Sequence, residues 1–309
     1  MKQKLLDNFV VYLIVAVLLM FIGQFIGGLV IGIPVGLHAI SSIDDPTLLS
    51  DPEAYTEVLN NLPPIVKLAN IYLVSFGMWV VLLLWFLKKN NRPLFGTITR
   101  KTRGNTVPKF LLGLLIGFAL NGLCVLVACL HGDIELTFSG FDPLIVIPAF
   151  LMILIQASSE ELLCRGYLYQ KLTHRYEDPV IAIVGNAALF TFLHLLNNGI
   201  SVLSLLNIFI SGVMFSLFVY YLDSMWLAFG VHTAWNFTQN ILFGLPNSGI
   251  ESPFGIFTLN TSSAKNSFAY NTEFGVEGCI LSTTILAIFC VGLILLGRKR
   301  DWKPTNIWA

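Results

Sequence analysis

The chain has 309 residues, of which 55% are apolar and only 12% are charged, and its mean hydropathy is +0.76. Soluble globular domains carry about 25% charged residues, so this composition excludes an ordinary soluble protein. The 18 basic and 18 acidic side chains cancel, and a chain without net charge has no overall field to recruit nucleic acid. We therefore expect a protein that lies in the lipid bilayer and has no nucleic-acid partner.

Apolar stretches of about 20 residues, the length that crosses a hydrocarbon core of roughly 30 Å, recur along the whole chain. Strict alternation of apolar and polar residues, which is typical of membrane β-barrels, is not seen in them. The sequence thus predicts an all-α, polytopic helix bundle that forms a single membrane domain. The eight predicted transmembrane helices cover residues 9–33, 65–87, 110–130, 143–164, 179–197, 200–222, 225–244 and 276–297.

Basic residues are distributed unevenly between the two sides that these spans define. All of them except Lys67 and Lys265 fall at or near one side, including Lys2, Lys4 and the tail at 298–303. Because basic residues are retained in cytoplasmic loops, this asymmetry predicts that both termini are cytoplasmic. We expect a multi-pass protein of a prokaryotic cell membrane, with extramembrane segments at 37–64 and 245–275.

Ionisable side chains inside the predicted spans are concentrated in the second half of the chain. A charged group near the bilayer centre costs at least about 2.5 kcal/mol, so such residues are functional candidates by default. They lie in three spans, the fourth, fifth and seventh, and comprise Glu160, Glu161, Arg165, His194 and His232, with Asn236 one helical turn beyond His232.

The spacing within these spans predicts how the side chains are paired. Glu161 and Arg165 are four residues apart in the order that favours an ion pair on one helical face, and such a pair can be purely structural. Glu160 points about 100° away, so it needs another partner, either a histidine of a neighbouring span or a metal bound by that histidine. A single histidine in an apolar helix is more often hydrogen-bonded between helices than a ligand. Three converging polar spans, however, favour a functional site.

Three motifs then stand in order: Glu160-Glu161-xxx-Arg165, Phe190-xxx-His194 and His232-xxx-Asn236. This set resembles the CPBP family, the CAAX protease and bacteriocin-processing intramembrane proteases, also called Abi or type II CAAX prenyl endopeptidase-like. The resemblance covers residues 140–245, which we predict to be the catalytic core. It leaves residues 1–139 as N-terminal spans of unassigned role and 246–309 as an extracytoplasmic loop with the last span.

The resemblance implies a membrane-embedded endopeptidase in which Glu160, His194 and His232 surround a catalytic water. Two mechanisms are open. In one, these three residues hold Zn²⁺, which lowers the pKa of the bound water and polarises the substrate carbonyl. In the other, Glu160 acts as the general base without a metal.

The remaining residues take different roles in the two mechanisms. With zinc, Glu161 is the base or, bound to Arg165, orients a ligand. Without zinc, His194 donates or orients and Asn236 is the oxyanion donor. We favour zinc because two histidines and one glutamate form a known catalytic ligand set, although the local HExxH spacing is missing.

Several functions and substrates remain open at this stage. The substrate is a peptide or protein at the membrane, such as a prenylated CAAX-type protein, a bacteriocin precursor or a pheromone precursor. The alternatives are a non-catalytic bacteriocin immunity or scaffold protein and, less favoured because no internal repeat is visible, a proton-coupled transporter. The sequence specifies neither the oligomeric state nor the role of the 245–275 loop.

One geometric difficulty follows from the predicted boundaries. With a rise of 1.5 Å per residue, His194 lies about 22 Å from the cytoplasmic start of its span, whereas Glu160 and His232 lie about 6 to 11 Å from that side. The depths match only if the fourth helix continues toward residue 175, or if other boundaries differ. If His194 cannot approach Glu160, the catalytic hypothesis fails.

Overall fold

The computed structural model describes residues 7–41, 43, 52–300 and 304–309. Lys2, Lys4 and residues 301–303, which contributed to the predicted orientation, lie outside the described residues, as does most of the segment 42–51. The described part contains nine helices and one small sheet. The helices are α1 (Phe9–Ser41), α2 (Pro52–Asn61), α3 (Pro64–Phe86), α4 (Val107–His131), α5 (Pro143–Arg175), α6 (Pro179–Leu193), α7 (Val202–Leu222), α8 (Met225–Phe237) and α9 (Ile280–Lys299).

Each of the eight predicted spans coincides with a helix, but not all of these helices have the length of a membrane span. Six described helices are long and apolar enough to cross a membrane, namely α1, α3, α4, α5, α7 and α9. The predicted fifth and seventh spans are shorter: α6 has 15 residues, and α8 has 13 before a π-helical turn, Thr238–Leu242. The protein is thus mostly helical, and its six apolar helices fit an integral membrane protein.

The helix α5 is longer than the predicted span, which ends at residue 164. The helix continues through a π-helical segment, Leu162–Leu168, to Arg175. The charged side chain of Arg165 just beyond the predicted end is fully buried and paired, so the helix can continue through the protein interior at that point. As a result, Glu160 is 15 residues from the end of α5 and His194 is 15 residues from the start of α6. Both therefore lie about 22 Å from the same end of the bundle.

Local sequence fixes where the helices of the second half begin. Asp142 and Asp178 each precede a proline, and their carboxylates accept hydrogen bonds from the backbone N–H of Leu144 and Val180. An aspartate cap followed by proline at the first helical position is a strong helix start, since proline lacks the N–H that would be left unpaired there.

The short helix α8 is the centre of the bundle and not a lipid-facing span. Nearly all of its side chains are buried, and it crosses α4 at very short range. A Cβ added at Gly113 would lie 2.4 Å from the carbonyl oxygen of Leu227, and one at Gly230 would lie 2.4 Å from that of Phe110. Because other helices surround α8, its length is not set by the thickness of the bilayer.

A small sheet joins the segment between α4 and α5 to the segment after α8, and it is the only departure from the all-α prediction in the described chain. Strand β1 (Leu136–Phe138) pairs antiparallel with β2 (Phe257–Leu259), with Thr137 opposite Thr258. Residues 245–250 fold back against the π-helical turn, where Asn240 donates to the carbonyl oxygens of Leu245 and Ile250. The loop is therefore packed onto the bundle beside α8.

Candidate active site

Arg165 anchors the polar cluster at the junction of α5, α6 and α7. Its Nη1 donates to Oε1 of Glu161 over 3.0 Å, and its Nη2 donates to the carbonyl oxygen of Gly212 over 2.9 Å. The guanidinium also lies over the rings of Phe190 and Phe215, 4.6 and 5.0 Å from their centroids. Both charges of the ion pair are completely buried. The predicted Glu161–Arg165 pair is present and holds Glu161 in place.

Asn186 of α6 completes the surroundings of Arg165. The hydrogen-bond network is satisfied when its amide oxygen faces Arg165, where it accepts from Nε over 3.1 Å and from Ser216 of α7 over 2.8 Å. In that orientation its nitrogen donates to the carbonyl oxygen of Cys164. Asn186 therefore links α6 to its neighbouring helices, as polar residues in bundles do. It also accepts a hydrogen bond from Nε, the third donor group of Arg165.

His232 of α8 connects the two glutamates. Its Nδ1 lies 3.0 Å from Oε1 of Glu161, and its Nε2 lies 3.8 Å from Oε2 of Glu160. Because a carboxylate only accepts, Nδ1 carries the proton in this contact. The imidazole also stacks on Phe215, with a centroid distance of 5.0 Å. Arg165 and Glu161 thus orient His232 so that Nε2 faces Glu160.

Glu160 is held by a residue to which the sequence analysis gave no role. Gln156, four residues earlier on the same face of α5, donates to Oε1 of Glu160 and accepts from Nδ2 of Asn236 over 3.2 Å. The spacing of four between Gln156 and Glu160 is the signal that could have identified it. The other oxygen, Oε2, is buried and accepts no hydrogen bond from the described residues.

His194 lies at the end of α6, where the helix gives way to a turn. Its Nδ1 donates to the carbonyl oxygen of Phe190, at 2.7 Å, which leaves Nε2 as an acceptor. The side chain lines the same cavity as Glu160, His232 and Asn236. It is part of the cavity wall and makes no hydrogen bond or ion pair to Glu160 or His232 among the described contacts.

The cavity that these side chains line has a volume of about 270 Å³. One side is formed by α5, α6 and α8, and the opposite side by α1 and α3. Residues 247, 248 and 250 of the outer loop also contribute to its wall. The structure thus brings all the predicted residues except Arg165 and Glu161 to one cavity, and places those two directly behind it.

Glu277 is a third carboxylate near the site, and sequence reasoning missed it. It lies just before α9, and its oxygens accept hydrogen bonds from Trp235, Asn247 and Ser248. Burial raises the pKa of this carboxyl, and the hydrogen bonds from Ser248 and Trp235 oppose the shift. An acidic residue at the start of the predicted span 276–297 was the available signal. Glu277 thus connects the outer loop to Trp235 of α8, the residue directly before Asn236.

The predicted zinc ligands Glu160, His194 and His232 come together only in part. Glu160 Oε2, a buried oxygen without a hydrogen-bond partner, faces His232 Nε2, so two of the three predicted ligands meet. The described residues contain no group of three His, Cys, Asp or Glu side chains that could hold a metal ion. In this arrangement His194 does not join Glu160 and His232 as a third ligand.

Residues 142–238 match the family model of the Type II CAAX prenyl endopeptidase Rce1-like proteins. The match includes all six predicted site residues and ends one residue into the π-helical turn. No curated protein and no solved structure matches the chain. The predicted family resemblance is therefore confirmed over this segment, and the family is one of CAAX endopeptidases that act in membranes.

Proposed function

We propose that the chain is an intramembrane endopeptidase that hydrolyses a peptide bond of a membrane-associated substrate inside this cavity. The observation that carries the proposal is the position of His232, whose Nδ1 is fixed by the buried Glu161–Arg165 pair while its Nε2 faces Glu160 at 3.8 Å. A buried ionic network of this kind is costly unless it is paired and hydrogen-bonded, and here it holds a histidine at the wall of a cavity. The family match over residues 142–238 supports the same reaction class.

The arrangement can activate a water. With the Nδ1 proton committed to Glu161, both Nε2 of His232 and Oε2 of Glu160 are hydrogen-bond acceptors that face each other. A water bound to both donates one proton to each. Glu160 then takes a proton from the water as general base, a step that contributes typically 10²- to 10⁴-fold to the rate.

The water oxygen forms a bond to the carbonyl carbon of the substrate, and negative charge moves to the carbonyl oxygen. Asn236 has an amide N–H free for this oxyanion, since only one of its two N–H groups is needed for Gln156. Glu160 returns the proton to the substrate nitrogen as the C–N bond breaks. His194, with its tautomer fixed by Phe190, presents Nε2 to accept a substrate N–H.

Zinc remains a prediction from the family resemblance. Because only Glu160 and His232 meet in this arrangement, the steps above are derived from side chains alone. The side-chain mechanism predicts that cleavage survives treatment with a chelator. Metal analysis of purified protein beside Glu160→Gln is the decisive comparison: equimolar zinc in the wild type, lost in the variant together with activity, would replace this mechanism by a metal-dependent one.

The function is tested with the full chain in proteoliposomes and a prenylated CAAX peptide, with a bacteriocin-type precursor peptide as a second probe. The variants Glu160→Gln, His194→Ala and His232→Ala are compared with Glu273→Gln, an exposed acid of the outer loop. We expect at least about 100-fold slower cleavage for Glu160→Gln and no change for Glu273→Gln, followed by mass spectrometry. Undiminished cleavage by all three site variants would contradict the proposal and favour an immunity or scaffold role.

A further inference from the structure

The N-terminal spans α1 and α3 lie outside the segment that matches the family model, yet they form one wall of the active-site cavity. Two amide side chains of this wall face the cavity, Gln24 of α1 and Asn70 of α3. Gln24 is 15 residues from the start of α1, and Asn70 is 16 residues from the end of α3, so each lies about 22 to 24 Å along its helix. This is the same distance that separates Glu160 from the end of α5.

Neither amide is explained by packing. Gln24 and Asn70 make no side-chain hydrogen bond to any other described residue, whereas the structural amides Asn186 and Asn207 are both bonded to neighbouring helices. Gln24 is half-buried and Asn70 is exposed, so both amides are accessible to a group in the cavity, whereas polar side chains between helices of a bundle are normally hydrogen-bonded to one another. Two uncommitted amides on one cavity wall therefore indicate a partner that enters the cavity.

The chemistry of the wall identifies that partner. Among the described residues that line the cavity there is no lysine or arginine, and Glu160 is the only carboxylate. The most frequent polar group is the carboxamide, which offers both donors and an acceptor and so matches a peptide backbone. The amide side chains of the lining are Gln24, Asn70, Gln156, Asn197, Asn236 and Asn247. An acidic substrate side chain would find no cation here and would be repelled by Glu160.

We propose that Gln24 and Asn70 bind the backbone of an extended, uncharged peptide segment and position its scissile bond opposite Glu160. The N-terminal spans are thus the substrate-binding half of the site, and the helices α5, α6 and α8 are the catalytic half. This inference rests on the proposed endopeptidase function, because it assigns the substrate of the same cavity.

Cleavage kinetics test the assignment, with a short peptide of uncharged residues as the probe. In Gln24→Leu and in Asn70→Leu we expect KM to rise about tenfold, the effect of losing roughly 1.4 kcal/mol of binding, while kcat stays within about twofold. The matched control is Asn90→Leu, an exposed amide outside the cavity. A merely structural defect would lower the fraction of active protein, and hence kcat, without raising KM. An unchanged KM in both variants would overturn the proposal.

A substitution that introduces a charge tests the same contact between Gln24 and the substrate. Gln24→Glu preserves the shape of the side chain and adds a negative charge to the cavity wall. We expect it to shift the preference between a peptide with a lysine beside the scissile bond and its neutral counterpart toward the lysine peptide, relative to the wild type. Retention of the wild-type preference would count against contact between Gln24 and the substrate.

A binding measurement separates this inference from the proposed function. Fluorescence anisotropy of the dye-labelled neutral peptide is measured on Glu160→Gln protein in nanodiscs, with and without Gln24→Leu. Weaker binding in the double variant supports the inference even if the wild type cleaves no peptide. Equal binding by both overturns the inference and leaves the endopeptidase proposal standing.

Discussion

Arg165 is a cation with no exposed surface, and each direction of its guanidinium has a partner: Glu161, Gly212 and Asn186. Such a side chain stabilises the fold only as a member of its pair, since a lone buried charge has lost its hydration without compensation. Its importance to the site is indirect, because it fixes Glu161 and through it the tautomer of His232.

Replacing Arg165 by alanine is therefore expected to destabilise the protein strongly. The change leaves the Glu161 carboxylate buried without its cation, which costs about 3 to 5 kcal/mol. The matched control is Arg175→Ala, which removes a half-exposed partner of Asp7 at 3.9 Å and should cost less than about 1 kcal/mol. Denaturant unfolding of both variants in detergent micelles measures the difference. Equal losses would contradict the structural role of Arg165.

The residue pairs within one helix were predictable, and those between helices were not. Spacing alone gives the Glu161–Arg165 pair, because residues four apart on a helix are neighbours whatever surrounds them. The contact between His232 and Glu161 joins residues 71 positions apart and depends on how deeply α8 sits in the bundle. For the same reason the roles of Glu277, Gln24 and Asn70 could not be predicted, since each of them depends on a neighbour far away in the chain.

At the scale of helices, the wall of the cavity depends on a close crossing of α1 and α3. Gly23 and Gly27 of α1 face Gly77 of α3, and a Cβ on Gly77 would lie 2.1 Å from the carbonyl oxygen of Gly23. Small residues allow backbones to approach in this way, so that the helices pack without intervening side chains.

The substitution Gly77→Ala tests this crossing. The added methyl group meets backbone atoms that cannot move independently, so we expect a loss of about 1 to 3 kcal/mol in unfolding free energy. The control Gly28→Ala adds the same group to α1 where nothing lies within 4 Å of the Cβ position, and it should leave stability unchanged or slightly raised. Thermal unfolding in micelles distinguishes the two, and similar behaviour would count against a tight crossing.

The outer loop is the other element that shapes the cavity, and Glu277 holds it. Ser248 has φ of 49°, a left-handed conformation that is unfavourable for a residue with a side chain. Both its N–H and its hydroxyl donate to Oε2 of Glu277, which keeps the residue in this conformation against the cavity.

Replacing Glu277 by glutamine is expected to release the loop. The two carboxyl oxygens accept from Trp235, Asn247 and Ser248, whereas the amide nitrogen of glutamine cannot accept. A buried donor left unpaired costs about 1 to 3 kcal/mol, so Glu277→Gln should accelerate amide exchange in residues 245–250 at least about tenfold. Glu273→Gln, an exposed acid in the same loop, should leave exchange unchanged. Hydrogen-exchange mass spectrometry makes the comparison. Full protection of 245–250 in Glu277→Gln would show that Glu277 does not fasten the loop.

For the molecule as a whole, hydropathy was enough to locate every predicted helix but not to decide which ones span the membrane. The apolar segment at 225–244 resembles a span because it is buried in protein, and protein interior and lipid select the same residues. The segment at 179–197 exposes apolar side chains such as Val180 and Phe192, but its helix has only 15 residues. The orientation with cytoplasmic termini and the division at residues 139 and 245 stay predictions. The cavity draws residues from all three of those segments, for instance Asn70, Glu160 and Asn247.

The central claim is that Glu160 activates a water that hydrolyses a peptide bond in this cavity. It is tested most directly by incubating wild-type and Glu160→Gln proteoliposomes with substrate peptide in ¹⁸O-labelled water and analysing the products by mass spectrometry. We expect one ¹⁸O atom in the new C-terminal carboxylate of the wild-type product and at least about 100-fold less labelled product with Glu160→Gln. Equal amounts of labelled product from both proteins would contradict it.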